Sequence, residues 1–256
     1  MPKARHDHDA GGDAETLAAK QELREQVWAR LSEEKQARFP GARNRIPNFV
    51  GAEQAAERLR DSDVWRNART IKCNPDSAQW PVRQRALEDG KTVYMAVPRL
   101  ADANPFFLLD PDDLGGRTPR QASSIKGATA AGRTVAVEDL EPVDLVVAGC
   151  VAVTEGGARL GKGGGFSDLE YAIAFAAGLV TADTPVVTTV HELQVVDAIP
   201  TVDHDVALDL VITPERTHAC RHESRHDPRI VWEELTAEKI ESIPLLASRR
   251  RMRMAP

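Results

Sequence analysis

Apolar positions arrive in two rhythms along this chain. Between Glu15 and Arg38, Leu17, Val27, Trp28 and Leu31 recur at helical spacing with Leu23 beside them, and Phe39-Pro40-Gly41 supplies a stop, so the spacing predicts a helix over 15–38. A second helix is predicted from Ala52 to Arg60. Beyond it come short apolar segments of strand length, centred on Ile71 and then running Val93 to Val97, Val135 to Val137, Leu145 to Ala148, Val186 to Val190 and Leu208 to Ile212. Helical segments fall between several of them, at Val82 to Asp89, Ser123 to Ala131 and Asp168 to Gly178. Strands alternating with helices predict an α/β fold: an open, mostly parallel sheet flanked by helices on both faces. The strand segments lack a polar alternation, so both of their faces are read as buried.

The ends differ from this middle. Residues 1–14 are polar and rich in His and Asp and read as a disordered leader, residues 15–246 as a single domain, and residues 247–256 as a basic tail. A chain of 256 residues can bury roughly 70% of its unfolded surface, enough for one sizeable core. The charged fraction of 28% and apolar fraction of 42% are those of an ordinary folded domain. A net charge of −6 gives no general attraction for nucleic acid or an anionic membrane, and the short run Ser248-Arg249-Arg250-Arg251 is read as a solvated end. The apolar run Ala172 to Val180 is far shorter than the roughly 18 residues of a membrane span, and the amino terminus has no apolar signal core. Cys73, Cys150 and Cys220 form no CxxC pair, which fits a reducing compartment, so the expected location is cytoplasmic.

The richest chemistry lies in Gly156-Gly157-Ala158-Arg159-Leu160-Gly161-Lys162-Gly163-Gly164-Gly165-Phe166-Ser167-Asp168, which follows the strand-like VDLVVAG and precedes a predicted helix. Glycines let a backbone approach a ligand closely and expose its N–H groups, a helix amino terminus adds positive potential, and Arg159 and Lys162 add fixed charge. These are the parts of a phosphate cradle; a glycine-rich turn with no ligand is the alternative reading of the same residues. Two common nucleotide templates fail. The spacing Gly156-x-x-x-x-Gly161-Lys162 meets the P-loop until Gly163 replaces the magnesium-holding Ser or Thr, and a GxGxxG fingerprint would need Gly where Phe166 stands.

Arg159-Leu160-Gly161-Lys162-Gly163-Gly164-Gly165-Phe166-Ser167-Asp168 resembles the ATP-binding signature of the 5-formyltetrahydrofolate cyclo-ligase family, Arg-Leu-Gly-x-Gly-x-Gly-Tyr-Tyr-Asp. The resemblance runs roughly from Ala18 to Thr213 and includes GKTVYMAVPRL, PVDLVVAGCVAV and TVDHDVALDLVIT in the family's order, with VTTVHELQVVDAIP and VWEELTAEKIESIPLL similar to its methenyltetrahydrofolate synthetase domain-containing branch. It implies an open α/β fold like that of sugar-phosphate isomerases and CoA transferases. It also implies an ATP- and Mg²⁺-dependent ring closure, in which the formyl oxygen of 5-formyltetrahydrofolate is phosphorylated and a folate nitrogen displaces phosphate to give 5,10-methenyltetrahydrofolate. The implied partner is a reduced folate.

Carried onto this sequence, the resemblance places Lys20, Arg24 and the run Arg159 to Ser167 on the nucleotide, and Asp168 and Asp205 on the metal. Lys20 and Arg24 at i and i+4 share a helical face and could reach phosphate oxygens together, or form a solvated basic face. Arg159 could hold phosphate bidentately. Asp168 could cap a helix as well as bind Mg²⁺, and Asp205 could be a turn acid. Two positions depart from the pattern: Phe166-Ser167 stands for the paired tyrosines, and in KCNPDSAQWPVR, where the family has a substrate-binding Glu, the nearest acid is Asp76. These departures leave open a binding module without turnover, or an enzyme for another phosphorylated substrate. Outside the resemblance, His218, His222 and His226 would share one face of a helix and could hold a transition metal, or could be an exposed charged run.

Overall fold

The structure, a computed structural model, describes residues 14–131, 133–202, 205–221 and 228–254. The leader expected over residues 1–14 lies outside these, except for its last residue. The chain starts with α1 (Ala14–Glu33), α2 (Ala52–Arg60) and α3 (Asp63–Asn67), and then enters the sheet at β1 (Thr70–Cys73). α4 (Trp80–Glu88) leads to β2 (Thr92–Ala96) and β3 (Phe106–Leu109), and α5 (Pro119–Ala122) and α6 (Ile125–Ala131) lead to β4 (Thr134–Val135). After β5 (Leu145–Val147) the short strands β6 (Ala152–Val153) and β7 (Arg159–Leu160) pair with each other, followed by α7 (Phe166–Ala176). β8 (Val186–Thr189), β9 (Leu210–Ile212) and β10 (Thr217–Ala219) complete the strands, and α8 (Ala237–Ser242) and α9 (Pro244–Met254) close the chain.

Eight strands form the main sheet in the order β10-β9-β8-β5-β1-β2-β3-β4. The five central ones, β9, β8, β5, β1 and β2, are parallel, and β10, β3 and β4 add antiparallel edges. β1 and β8 are buried along their whole length, as the unbroken apolar runs require. Alternate residues feed two cores. Ile71, Met95, Leu145 and Val187 pack with α1 to α6 on one face, whereas Tyr94, Val146, Val186 and Val211 pack with α7, Ile240, Ile243 and Leu246 on the other. Among the described residues no helix is long and apolar enough to cross a membrane.

Three details differ from the pattern-based expectation. The first helix ends at Glu33, because no apolar residue follows Leu31 to anchor another turn; Lys35 turns left-handed at φ 57° and Ala37 bridges to Phe49. β3, the Phe-Phe-Leu-Leu run, is a strand that the pattern passed over, and it pairs antiparallel with β2. His218 sits on β10 and not on a helix, its backbone bound to β9 through the pair His218↔Val211, so the three-histidine helical face does not form. His222 and His226 lie outside the described residues, and among those described no group of three metal-binding side chains occurs.

Ile71 is fully buried on one of the two central strands and is paired with both neighbours in the sheet. Ile71→Ala is expected to lower the unfolding free energy by about 2–5 kcal/mol in urea titrations. Phe39 is 92% exposed, and Phe39→Ala should change it by less than about 0.5 kcal/mol.

Candidate functional site

β1 and β5 are sheet neighbours from which the chain departs in opposite directions, β1 towards β2 and β5 towards β8 and β9. The connections diverge there, and a crevice opens at the carboxyl ends of the two strands. The strand ends are tied together: Asn74 N–H donates to Val147 O at 3.1 Å, and Gly149 N–H donates to Asn74 Oδ1 at 3.1 Å. Above them lies a cleft of about 800 Å³. It is lined by Asn74, Asp76 and Gly149 at the strand ends, by Arg24 and the glycine loop, and by Ile46, Arg99 and Ile125.

The loop reaches the cleft by a route that the sequence pattern did not show. The β6–β7 hairpin is inserted between β5 and α7, and Gly161 to Gly165 run from the end of β7 into the helix. Gly163 has φ 102° and Gly165 has φ 60°, values that favour glycine. Arg24 lies beside the first of these: a Cβ on Gly163 would be 3.6 Å from the guanidinium carbon, an ordinary contact, so it is the backbone angle and not crowding that calls for glycine there. The Arg24 Nε–H donates to Gly161 O at 2.8 Å, which fixes the entry to the loop. At its exit Gly165 is the N-cap of α7 and brings no side chain to the first-turn amides, so the positive end of an 11-residue helix opens on the loop.

Asp76 is placed by a side chain that never reaches the cleft. The buried Arg83 donates to Asn74 O, to Asp76 O at 3.1 Å and to Pro75 O at 3.3 Å, holding the turn after β1 rigid. Burial pushes the Asp76 carboxyl above its ordinary value, and Lys162 and Arg83 partly offset that rise. Lys162 stands 3.8 Å from Asp76 Oδ1 and is half exposed. Deeper still, Glu170 of α7 accepts from Lys72 Nζ at 2.8 Å and from Asn74 Nδ2 at 3.0 Å. Both members of this ion pair are buried, with side-chain exposures of 3% and 5%.

The expected site residues divide into two groups. Arg24, Gly161, Lys162, Gly163, Gly164, Gly165, Phe166, Ser167 and Asp168 all line the cleft. Lys20, Arg159, Leu160 and Asp205 stand behind it. Leu160 is a core residue, 2% exposed. Arg159 is also buried: its Nη2 pairs with Asp168 Oδ1, and its Nε–H donates to Val206 O at 3.1 Å. It does not present a free fork to the cleft, because burying a guanidinium requires a carboxylate partner. Burial alone would lower the Arg159 pKa, but Asp168, Cys150 and Asp205 outweigh it, and the group stays charged. Lys20 pairs with Asp205 Oδ2 at 3.0 Å, whereas Arg24 turns to Gly161 O.

Asp168 and Asp205 nevertheless belong to one cluster, since Val206 N–H donates to Asp168 Oδ1 at 3.3 Å. The ion pairs use Asp168 Oδ1 and Asp205 Oδ2; Asp168 Oδ2 and Asp205 Oδ1 make no hydrogen bond among the described residues. Two hard oxygen donors suit Mg²⁺, which takes one or two carboxylates and completes its shell with water and phosphate oxygens.

The family model for 5-formyltetrahydrofolate cyclo-ligases matches residues 16–214, which include α1, the strand ends at the cleft, the glycine loop and Asp205. The chain belongs to the 5-formyltetrahydrofolate cyclo-ligase family. It is 39% identical over 236 residues to the Methenyltetrahydrofolate synthase domain-containing protein of Bos taurus, covering 91% of this chain and 62% of that protein. To the Homo sapiens protein of the same name it is 36% identical, covering 91% and 61%. The chain thus spans about three-fifths of the length of these relatives. A shorter match, 37% identical over 81 residues, links 31% of the chain to 38% of the 5-formyltetrahydrofolate cyclo-ligase of Mycolicibacterium smegmatis. The solved 5,10-methenyltetrahydrofolate synthetase of Aquifex aeolicus shares the fold, with a TM-score of 0.51 at 21% identity over 79% of this chain and 93% of that one.

At the positions where this cyclo-ligase family member departs from the tyrosine pair, Phe166 keeps an aromatic face on the cleft, and Ser167 Oγ–H donates to Asn74 Oδ1 at 3.4 Å. Asn74 and Glu170 escaped the sequence reading because each owes its place to a partner distant along the chain, and Arg83 because its nearby acceptors are backbone carbonyls, which leave no mark in the side-chain pattern. A charged residue inside an otherwise apolar strand, Lys72, was the one available sign of a buried counter-charge.

Removing Arg159 would strand Asp168 beside the core. Arg159→Ala is expected to lower the unfolding free energy by about 3 kcal/mol in urea titrations, with Arg159→Lys intermediate because it restores the charge but not the second hydrogen bond.

Proposed function

We propose that this protein closes 5-formyltetrahydrofolate to 5,10-methenyltetrahydrofolate at the expense of ATP, with the glycine loop as the phosphate site. The single observation behind this reading is the convergence, at the switch point of a cyclo-ligase family fold, of the glycine loop, the open end of α7, Arg24 and Lys162 on a cleft of about 800 Å³. A cavity of that size matches a nucleotide or a drug-sized organic substrate.

In this reading the chain supplies position and charge. Backbone N–H groups of Gly163 to Gly165 and the first turn of α7 receive phosphate oxygens. Arg24 and Lys162 neutralise the charge that spreads over the phosphoryl oxygens as the group moves from ATP to the formyl oxygen. A folate nitrogen then attacks the activated carbon and phosphate departs, so the enzyme's main task is to hold two reactants in line. Asp168 and Asp205 would hold Mg²⁺, which supplies charge neutralisation on the phosphates. Phe166, Ile46 and Ile125 offer apolar surface to a heterocycle, and Asp76 with Asn74 offers polar groups to its edge.

A second reading, nucleotide or folate binding without turnover, draws on the ion pairs that engage both candidate metal ligands and on the lost hydroxyl at Phe166. One assay separates the two: purified protein with ATP, Mg²⁺ and 5-formyltetrahydrofolate, followed by methenyl absorbance and ADP release. Turnover is the expected result; ligand binding with neither product supports the module. Lys162 is half exposed, so its loss should spare the fold. Lys162→Met is expected to raise the dissociation constant for ATP about tenfold, the equivalent of about 1.4 kcal/mol, in calorimetric titrations. Asp76→Asn should raise KM for the formylfolate about tenfold while leaving ATP affinity within about twofold.

A further inference from the structure

Past the span matched by the family, at residues 237–242, the six-residue helix α8 touches the glycine loop. Lys239 Nζ donates to Gly164 O at 2.6 Å and lies 5.0 Å from the centre of the Phe166 ring. Phe166 in turn covers Gly164, where a Cβ would meet the ring at 2.8 Å, so lysine, ring and glycine form one stack. The helix is firmly seated. Thr236 caps it by accepting from Lys239 N–H at 3.1 Å, and Ile240, Ile243 and Leu246 are buried in the core beneath α7.

The peptide unit that joins Gly164 to Gly165 gives this contact its meaning. Its C=O and N–H point in opposite directions because the bond is planar and trans. Neither glycine has a Cβ to resist a flip of that plane, which would exchange the two groups. α8 contributes none of the residues that line the cleft, so a carbonyl turned to Lys239 is turned away from the cleft. At the other end of the loop Arg24, itself a cleft-lining residue, holds Gly161 O at 2.8 Å. A carbonyl oxygen facing the cleft would repel an anion, whereas an N–H would bind it.

We infer that Lys239 is a positioning residue for the glycine cradle. It clamps the Gly164 carbonyl and the Phe166 ring, so that the Gly165 amide and the first turn of α7 stay available to a phosphate-bearing ligand. The inference deepens the nucleotide reading above and rests on it for the choice of ligand, but the loop's own order can be measured without any ligand.

The test compares the full-length wild type with Lys239→Met, which keeps the aliphatic stem, and Lys239→Arg, which keeps the charge. In ligand-free hydrogen exchange, amides of residues 161–167 should exchange at least about fivefold faster in Lys239→Met and close to the wild-type rate in Lys239→Arg, with β1 amides unchanged in both. The dissociation constant for ATP should rise about tenfold in Lys239→Met and less than about twofold in Lys239→Arg. Loop exchange that is unaltered in Lys239→Met, or accelerated equally in β1, overturns the inference, as does unaltered ATP affinity. A wild type that binds no ATP overturns the nucleotide reading instead, and the exchange comparison then decides Lys239 by itself.

Discussion

The buried ion pair between Lys72 and Glu170 fixes how α7 lies on the sheet, and with it everything the cleft contains. Two charges withdrawn from water are costly unless their geometry is well satisfied, and a shift of either element would leave one charge stranded. Lys72 comes from the middle of β1 and Glu170 from the second turn of α7, so the pair sets both the height and the rotation of the helix above the sheet. Asn74 extends the constraint. One amide group donates to Glu170 and the oxygen accepts from Gly149 and Ser167, which joins β1, β5 and the start of α7 at the switch point. The amino end of α7, and therefore the glycine loop, is positioned by this network.

Around that frame the electrostatics are local. The chain carries a net charge of −6, yet Arg24, Lys162, Lys239 and the end of α7 all bear on a loop of five residues. Behind it, Arg159 with Asp168 and Lys20 with Asp205 form two ion pairs linked through the backbone of Val206. Arg24 and Lys239 touch backbone carbonyls of the loop, Lys162 faces the Asp76 carboxylate, and Arg159 and Lys20 farther back touch carboxylates.

The C-terminal helices are part of the same construction. Residues 215 onward fall outside the family match, but Ile240, Ile243 and Leu246 fill the core under α7, and Lys239 reaches the loop from there. Packing on that face of the sheet therefore ties the loop to VWEELTAEKIESIPLL, a segment beyond the family model's match.

Much of this was legible beforehand, for identifiable reasons. Unbroken apolar runs around Ile71, Leu145 and Val186 could satisfy their backbones and their side chains together only as buried parallel strands, and the glycine-rich run after them needed no distant partner to be recognised. The α/β architecture and the cleft-lining stretch from Gly161 to Asp168 follow from such local chemistry, and the family from the resemblance of its motifs. The roles of individual charges do not, because an ionised side chain is assigned by the partner it meets in space. Arg159 has the same sequence context whether it faces a phosphate or Asp168; Lys20 has the same helical spacing from Arg24 whether it joins it or turns to Asp205; and Lys239, 75 residues from Gly164, has no reason in the sequence to touch it. Local periodicity determined which elements form and which loop is open to a ligand. Only the packed structure, by deciding which charges are buried against which, settled how that loop is held.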